Sequence, residues 1–298
     1  MRVFRFQGVY CALVTPYAAD GSVDLARLRE IIDWLIECGI HGLWVCGGTG
    51  EGLLLDEGER HAVAEAAVDA ARGRVQVIVH VGALATRLAA ALAAHAAQIG
   101  ADGIACIPPF YWHLSDDAII AHYQEVAAAA GDLPLFAYNI PRNTGVTMTP
   151  ALLGRLRQEI PTLAGLKHSS SNLFDLHTMA LEHGNGLALF CGHDELFLPA
   201  LAQGACGLIG ATVNFAPQVY VRLWEAFQGG NWAEAARQQA IANGLVRAVL
   251  QGEVVAATKA ALSLVGPDPG PPRPPFRPLS PTQIEALRRA LWSFALIK

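Results

Sequence analysis

Eight short apolar runs alternate with longer amphipathic stretches over the first part of the chain. The runs are apolar nearly throughout, which is typical of parallel strands that are covered on both faces. The stretches between them have the spacing of amphipathic helices, as in residues 24–39, where a stripe of leucine and isoleucine ends at Gly39. The runs are residues 8–15, 42–47, 75–82, 103–109, 133–139, 163–168, 187–192 and 207–212.

This alternation constrains the fold. Eight strand–helix units favour an α/β fold of the (β/α)8 TIM barrel type over a doubly wound sheet, which usually has five or six strands. We therefore predict a barrel over residues 1–216, with the active site at the carboxyl ends of the strands, and a C-terminal helical extension over residues 217–298. In the extension we expect two helices broken at Gly229 and Gly230, a proline-rich segment (residues 266–281) and a last helix from about Thr282.

Composition narrows the class of partner. A net charge of −5 without a basic stripe argues against nucleic acid. The apolar stretches are interrupted by charges before they reach the length of a membrane span. The amino terminus, "MRVFRFQGVY", lacks the apolar core of a signal peptide, and the six cysteines form no CxxC pair. We expect a cytoplasmic protein with reduced thiols and a small-molecule partner.

A glycine-rich stretch, "WVCGGTGEG" at residues 44–52, follows the second run. It is not a GxxxxGK[ST] phosphate loop, because no lysine follows, and it is not GxGxxG, because the third glycine position is Leu53. Free backbone N–H groups together with the Thr49 hydroxyl could bind a carboxylate. The alternative is an ordinary turn that needs glycine for its backbone angles.

Two chemically active side chains end neighbouring runs. Only three of the 21 basic residues are lysines, and one of them, Lys167, ends the sixth run. A partly neutral amine can attack a ketone to form a Schiff base, although a lysine paired with a carboxylate is an equal alternative. Tyr138 ends the fifth run, where its phenol could transfer protons or simply fill the core.

Two further clusters follow strand ends. Tyr111 lies in the aromatic stretch "FYW", which fits either a subunit contact or a catalytic role. Asp194 and Glu195 follow His193 and could bind substrate hydroxyls or simply favour a helix first turn. No second histidine stands at a ligand-like spacing from His193, so we predict no metal site.

Three motifs in order, "GGTGE", "YNIP" and "GLKHSS", resemble the dihydrodipicolinate synthase and N-acetylneuraminate lyase family. The resemblance runs essentially the full length, including the tail "PLSPTQIEALRRAL". It implies class I aldolase chemistry on a (β/α)8 barrel, a homotetramer built as a dimer of dimers, and no metal or organic cofactor. The implied partners are pyruvate and a sugar-acid or aldehyde substrate.

The resemblance also implies roles for individual residues. Lys167 would form the Schiff base with the keto carbon of pyruvate or another 2-keto acid, and Tyr138 would shuttle protons. Gly48 and Thr49 would hold the substrate carboxylate. Tyr111 matches a tyrosine that reaches into the neighbouring subunit's site.

The motif "GHDE" resembles the lyase branch, in which the positions of Gly192, Asp194 and Glu195 bind the polyhydroxyl tail of a sugar acid. Ser169 stands at the position of a hydroxyl residue near the Schiff base.

Three positions depart from one branch or the other. The synthase branch carries an arginine where this chain has Asn143, and the nearest arginine is Arg142. The lyase branch carries serines where this chain has Gly48 and Ala211.

These features together predict a Schiff-base lyase that cleaves a 2-keto-3-deoxy sugar acid or N-acetylneuraminate to pyruvate and an aldehyde. Three alternatives stay open. The first is 4-hydroxy-tetrahydrodipicolinate (dihydrodipicolinate) synthase, which condenses pyruvate with aspartate semialdehyde. The others are a sugar-acid dehydratase and a sugar-acid sensor that keeps the same pocket.

Overall fold

The computed structural model describes residues 6–297 and confirms the predicted (β/α)8 TIM barrel. Eight parallel strands form a closed barrel in chain order, with helices between them. The strands are β1 (Gly8–Ala12), β2 (Gly42–Val45), β3 (Gln76–His80), β4 (Gly103–Cys106), β5 (Leu135–Asn139), β6 (Leu163–His168), β7 (Ala188–Cys191) and β8 (Gly207–Gly210).

The helices follow the strands and continue beyond the last one. Short 3₁₀ helices, Asp194–Leu196 and Thr212–Asn214, follow β7 and β8. The α-helices are α1 (Leu25–Glu37), α2 (Glu57–Ala71), α3 (Thr86–Gln98), α4 (Asp116–Ala130), α5 (Pro141–Thr144), α6 (Pro150–Glu159), α7 (Leu173–His183), α8 (Phe197–Ala202), α9 (Pro217–Gln228), α10 (Trp232–Val249), α11 (Val254–Val265) and α12 (Pro281–Ser293).

Local sequence explains where these elements begin and end. The side chain of Asp24 caps α1 by accepting a hydrogen bond from the backbone N–H of Arg27 at 2.9 Å. The helix then buries the predicted leucine–isoleucine stripe, and the chain leaves it through Gly39 at a φ of +89°. At α2, Asp56 and Glu59 form a capping box that fixes the first turn.

The C-terminal helices agree with the sequence prediction at most points. The break between α9 and α10 falls at Gly229 and Gly230, and α12 begins at Pro281, one residue before the predicted start. Helix α11 was not predicted. Nine of its twelve residues are apolar, so only a few polar side chains mark its exposed face in the sequence.

By its internal contacts the chain divides into two compact units. One contains residues 78–209 together with the segment that ends at Gly8, and its strand pairs run from β3 to β8. The other contains Val9–Val77 and the chain from Gly210 onwards, including the β1–β2 pair, α1, α2 and α9 to α12. The predicted boundary at residue 216 remains a prediction. The first five residues of the segment examined for a signal peptide lie outside the described residues.

Within residues 6–297, no single helix has the length and hydropathy to cross a membrane. Helices α10 and α11 meet that test only as a pair, by length and composition, and they are bent by 115° at their break. Across the same residues, no three His, Cys, Asp or Glu side chains are grouped as metal ligands would be.

Candidate active site

Lys167 and Tyr138 come together on adjacent strands. They are register partners on β6 and β5, and the Lys167 Nζ lies 4.5 Å from the centre of the Tyr138 ring. Both side chains are buried, Lys167 being 4% and Tyr138 6% exposed. The two residues predicted to form the Schiff base and to move protons are therefore buried next to each other at the carboxyl ends of their strands.

A hydrogen-bonded histidine fixes the end of β6 beside this pair. His168 Nε2 donates to the carbonyl of Asn172, and the side-chain amide of Asn139 donates to His168 Nδ1, each at 3.1 Å. Burial lowers the pKa of His168, so the imidazole is held neutral with one nitrogen donating and the other accepting. The backbone N–H of Ser169 donates to the Asn139 carbonyl at 2.8 Å and extends the β5–β6 pairing past Lys167.

His80 also contacts Tyr138 and is not among the site residues predicted from the sequence. It is the last residue of β3, is buried, and presents its ring edge-on to Tyr138 with 6.0 Å between ring centres. A side chain at Gly82 would begin 2.8 Å from His80 Nε2, so only glycine leaves room for the imidazole. The signal in the sequence was a polar residue that interrupts an apolar run, "VIVHVG".

The predicted tail-binding residues lie together after β7. Asp194 is buried at the start of the 3₁₀ helix, and Gly192 precedes it in contact with Ser169. The Ser169 Oγ donates to the Gly192 carbonyl at 3.4 Å. A Cβ at Gly192 would lie 2.0 Å from that Oγ, so glycine is required for the close approach.

His193 and Glu195 form a charge-assisted pair next to Asp194. His193 Nδ1 lies 3.0 Å from Glu195 Oε1. This hydrogen bond raises the pKa of His193 and lowers the pKa of Glu195, in both cases against the effect of burial. The cluster therefore presents a carboxylate and an imidazole that can accept and donate hydrogen bonds to hydroxyl groups.

The glycine-rich turn, residues 46–52, is a compact loop after β2. Within residues 6–297, the backbone N–H groups of Gly48 and Thr49 donate to no protein acceptor. Gly48 is exposed, and a Cβ added to it would meet no atom within 4 Å. By contrast, a Cβ at Gly52 would lie 1.8 Å from the Cys46 carbonyl, so the turn closes only with glycine there. Two free N–H groups beside open space make this turn suited to an anion.

Tyr111 lies outside these clusters. It is 82% exposed in the loop after β4, and its ring packs edge-on against Trp112 with 4.9 Å between centres. Its φ of +81° is a strained value for a residue with a Cβ. Arg142 and Asn143, the positions that bear on the synthase branch, are both exposed on α5.

Comparison with known proteins identifies the family. The model of the dihydrodipicolinate synthetase family matches residues 5–293. N-acetylneuraminate lyase of Rhizobium meliloti is 37% identical over 96% of this chain and 95% of its own length. The 4-hydroxy-tetrahydrodipicolinate synthase of Methanopyrus kandleri is 34% identical over 99% of this chain and 98% of its own length.

The fold gives the same assignment. A prophage protein of E. coli K12, YagE, described as belonging to the dihydrodipicolinic acid synthase family and solved in complex with pyruvate, superposes with a TM-score of 0.94. It is 32% identical, and the match covers 98% of this chain and 99% of YagE. The chain therefore belongs to the dihydrodipicolinate synthetase family, and its relatives include N-acetylneuraminate lyases and 4-hydroxy-tetrahydrodipicolinate synthases.

Proposed function

We propose that this chain is a Schiff-base lyase that cleaves N-acetylneuraminate or a related 2-keto-3-deoxy sugar acid to pyruvate and an aldehyde. The observation that carries the proposal is the buried amine of Lys167 against the Tyr138 ring at the ends of β6 and β5. The similarity to the Rhizobium meliloti N-acetylneuraminate lyase favours the lyase branch.

The reaction follows from the chemistry of the amine. Lys167 Nζ attacks the keto carbon, and the carbinolamine loses water to give an iminium. The C3–C4 bond then breaks, its electron pair moves into the iminium to give an enamine, and the C4 hydroxyl proton leaves through Tyr138. Protonation of the enamine at C3 and hydrolysis by water release pyruvate and restore the free amine.

Other residues bind the substrate in this proposal. The N–H groups of Gly48 and Thr49 hold the carboxylate, which accords with their free donors. Ser169 lies near the Schiff base, and Gly192, Asp194 and Glu195 bind the hydroxyl tail. The pair formed by His193 and Glu195 supports this role, because it supplies charge-assisted donors and acceptors.

A second candidate is the synthase reaction, condensation of pyruvate with aspartate semialdehyde. The 34% identity to the Methanopyrus kandleri synthase favours it. The exposed Asn143, at the position of the arginine that grips the aldehyde substrate's carboxylate in the synthase branch, argues against it. A dehydratase that uses the same lysine and a non-catalytic sugar-acid sensor are the remaining alternatives.

We propose further that the chain forms a homotetramer and acts in the cytoplasm. The exposed and strained Tyr111 supports a subunit contact, because a large aromatic side chain held outward at an unfavourable φ is suited to a neighbouring chain. Analytical ultracentrifugation of the wild type and of Tyr111→Ala tests this assembly. A monomeric wild type would contradict it.

The decisive experiment is trapping with borohydride. The protein is incubated with pyruvate, reduced and weighed, and a peptide map assigns the adduct among the three lysines. We expect modification at Lys167 and its loss in Lys167→Ala. An adduct that survives this substitution would refute the Schiff-base assignment.

A substrate panel then separates the branches. N-acetylneuraminate, 2-keto-3-deoxygluconate and aspartate semialdehyde with pyruvate are compared by release or consumption of pyruvate. Turnover of the last alone would establish the synthase. Labelling with no turnover of any substrate would favour the sensor.

A further inference from the structure

A buried ion pair lies directly behind the glycine-rich turn. Glu51, the last residue of "GGTGE", has a fully buried side chain, and its Oε1 lies 2.6 Å from the Nζ of Lys259 on α11. The Lys259 side chain is 1% exposed. A turn at the end of a barrel strand is thus tied to a C-terminal helix through charges that solvent does not reach.

The proline-rich segment supplies a further hydrogen-bond partner for each of the two charged groups. The second carboxylate oxygen of Glu51 accepts a hydrogen bond from the backbone N–H of Arg273 at 2.7 Å. Lys259 Nζ donates in addition to the Pro271 carbonyl at 3.0 Å. Each oxygen of Glu51 therefore has its own partner, and the two partners come from different C-terminal elements.

Arg273 is itself fixed in place. Its guanidinium binds both oxygens of Glu59 at 2.6 Å and donates to the carbonyls of Leu54 and Gly21. Its Cζ lies 4.4 Å from the centre of the Tyr17 ring, and Lys259 Nζ lies 4.1 Å from the same centre. An aromatic ring held against two cations restrains both of them.

The turn has a conformation that needs such an anchor. Glu51 has a φ of +56°, a left-handed value that disfavours a residue with a Cβ. In this conformation its backbone N–H donates to the Gly48 carbonyl at 3.1 Å, and the Gly52 N–H donates to the Gly47 carbonyl at 3.0 Å. These two bonds orient the peptide units around Gly48 and Thr49, whose own N–H groups stay free.

Stability alone does not account for the ion pair. Burial lowers the pKa of Lys259 to about 8, even though Glu51 favours the charged amine. The attraction within a buried ion pair is largely offset by the desolvation of its two charges, so the pair contributes little to the net free energy of folding. Its clear structural effect is to hold the Glu51 side chain, and with it the strained turn, in one place.

We propose that Glu51 and Lys259 are positioning residues for carboxylate binding: their buried ion pair locks the glycine-rich turn so that the N–H groups of Gly48 and Thr49 face the substrate. Both residues act on substrate binding indirectly, by holding the turn, because their side chains are buried and do not reach the exposed side of Gly48. The inference rests on the proposed function, because it assigns the turn to the carboxylate of a 2-keto acid.

The test compares three variants of the full-length protein. Lys259→Met removes the amine and keeps an unbranched side chain that is one atom shorter, and Glu51→Gln removes the charge and keeps the volume. Glu253→Gln is the matched control, because the Glu253 carboxylate accepts from the Arg277 backbone N–H at 3.0 Å and holds the same proline-rich segment without contacting the turn. Borohydride trapping over a range of pyruvate concentrations gives a half-saturating concentration and a saturating rate for each.

We expect Lys259→Met and Glu51→Gln to raise the half-saturating pyruvate concentration about tenfold, while the saturating rate of adduct formation changes less than about twofold. Glu253→Gln should leave both values unchanged. Unchanged half-saturation in both pair variants, or an equal loss of affinity and rate, would overturn the proposal. If Lys259→Met does not fold, Glu51→Gln alone decides.

Hydrogen–deuterium exchange separates this inference from the proposed function. The peptide covering residues 44–56 should exchange faster in both pair variants than in the wild type and in Glu253→Gln. This readout needs no turnover. A wild type that forms no pyruvate adduct would refute the proposed function, whereas unaltered exchange in the pair variants would refute the positioning role of the Glu51–Lys259 ion pair.

Discussion

The Nζ of Lys167 lies over the Tyr138 ring, 4.5 Å from its centre, and the two residues are paired across β6 and β5. This arrangement separates two contributions of the tyrosine. The ring restrains the amine, and the hydroxyl is available for proton transfer.

Tyr138→Phe keeps the ring and removes the hydroxyl. We expect the pyruvate adduct at Lys167 to form, while kcat for cleavage falls by about 10² to 10⁴, the usual contribution of a proton-transfer group. Mass spectrometry after borohydride reduction and a pyruvate-release assay measure the two effects. A variant that cleaves at the wild-type rate would exclude Tyr138 from proton transfer.

Gly48→Ser tests the preference for sugar acids. No atom lies within 4 Å of a Cβ at this position, and the Gly48 backbone is not in the left-handed region, so a serine fits. One additional hydrogen bond should raise kcat/KM for N-acetylneuraminate about tenfold. Ala211→Ser, the other position at which lyases carry serine, is measured alone and in combination. A loss of activity in Gly48→Ser would show that the lost hydroxyl is not what limits this substrate.

Glu195→Gln tests tail recognition. The hydrogen bond to Glu195 raises the pKa of His193, so the variant should lower that pKa, as followed by NMR titration of the imidazole. In the wild type the pair stabilises the folded chain where Glu195 is ionised and His193 is protonated. This contribution is lost as the pH rises through the raised pKa of His193 and as it falls through the lowered pKa of Glu195. KM for the cleaved sugar acid should rise about tenfold, whereas pyruvate trapping at Lys167 should not change. An equal effect on both would remove Glu195 from tail binding.

The burial of His122 on α4 leads us to expect that the folded chain loses stability at acidic pH. Its ring lies between the Thr86 hydroxyl at 2.9 Å and the Cys106 thiol at 3.4 Å, and burial lowers its pKa to about 4. The unfolded chain binds a proton at this residue below about pH 6.5, and the folded chain does so only near pH 4, so stability falls across that interval. The loss amounts to about 3 kcal/mol.

Urea unfolding at pH 7 and pH 4.5 measures this loss at a fixed protein concentration. His122→Gln should flatten the dependence of the unfolding free energy on pH, and His113→Gln, at an exposed histidine, should not. Parallel pH profiles for wild type and His122→Gln would contradict the assignment.

The barrel could be predicted because its signals are local. Each strand is marked by a short apolar run, but the runs overestimate strand length, since Leu13 and Val14 are buried after β1 has ended at Ala12. Hydrophobicity reports burial rather than backbone pairing. The neighbouring positions of Lys167 and Tyr138 could be predicted for the same reason, because each stands near the end of one of two consecutive apolar runs, whereas their catalytic roles stay a prediction.

The buried ion pair between Glu51 and Lys259 could not be predicted. Glu51 and Lys259 are 208 positions apart, and the sequence around each one does not indicate that the other is its partner. The available signals were a carboxylate within a glycine-rich turn and a single charge within the apolar run "VVAATKAALSLV". A lone charge in an apolar segment requires a partner, but only the folded chain shows which one.

The contacts of the Glu51 carboxylate with C-terminal residues limit how far this chain can be shortened. A truncation after residue 216 would leave out both Lys259 and Arg273, and the Glu51 carboxylate would lose its ion-pair partner and the backbone N–H that donates to its second oxygen. An uncompensated charge would then lie inside the remaining polypeptide beside the turn after β2. The C-terminal helices and the proline-rich segment thus supply the groups that neutralise and bind a carboxylate of a barrel loop. Engineered fusions should be joined beyond them.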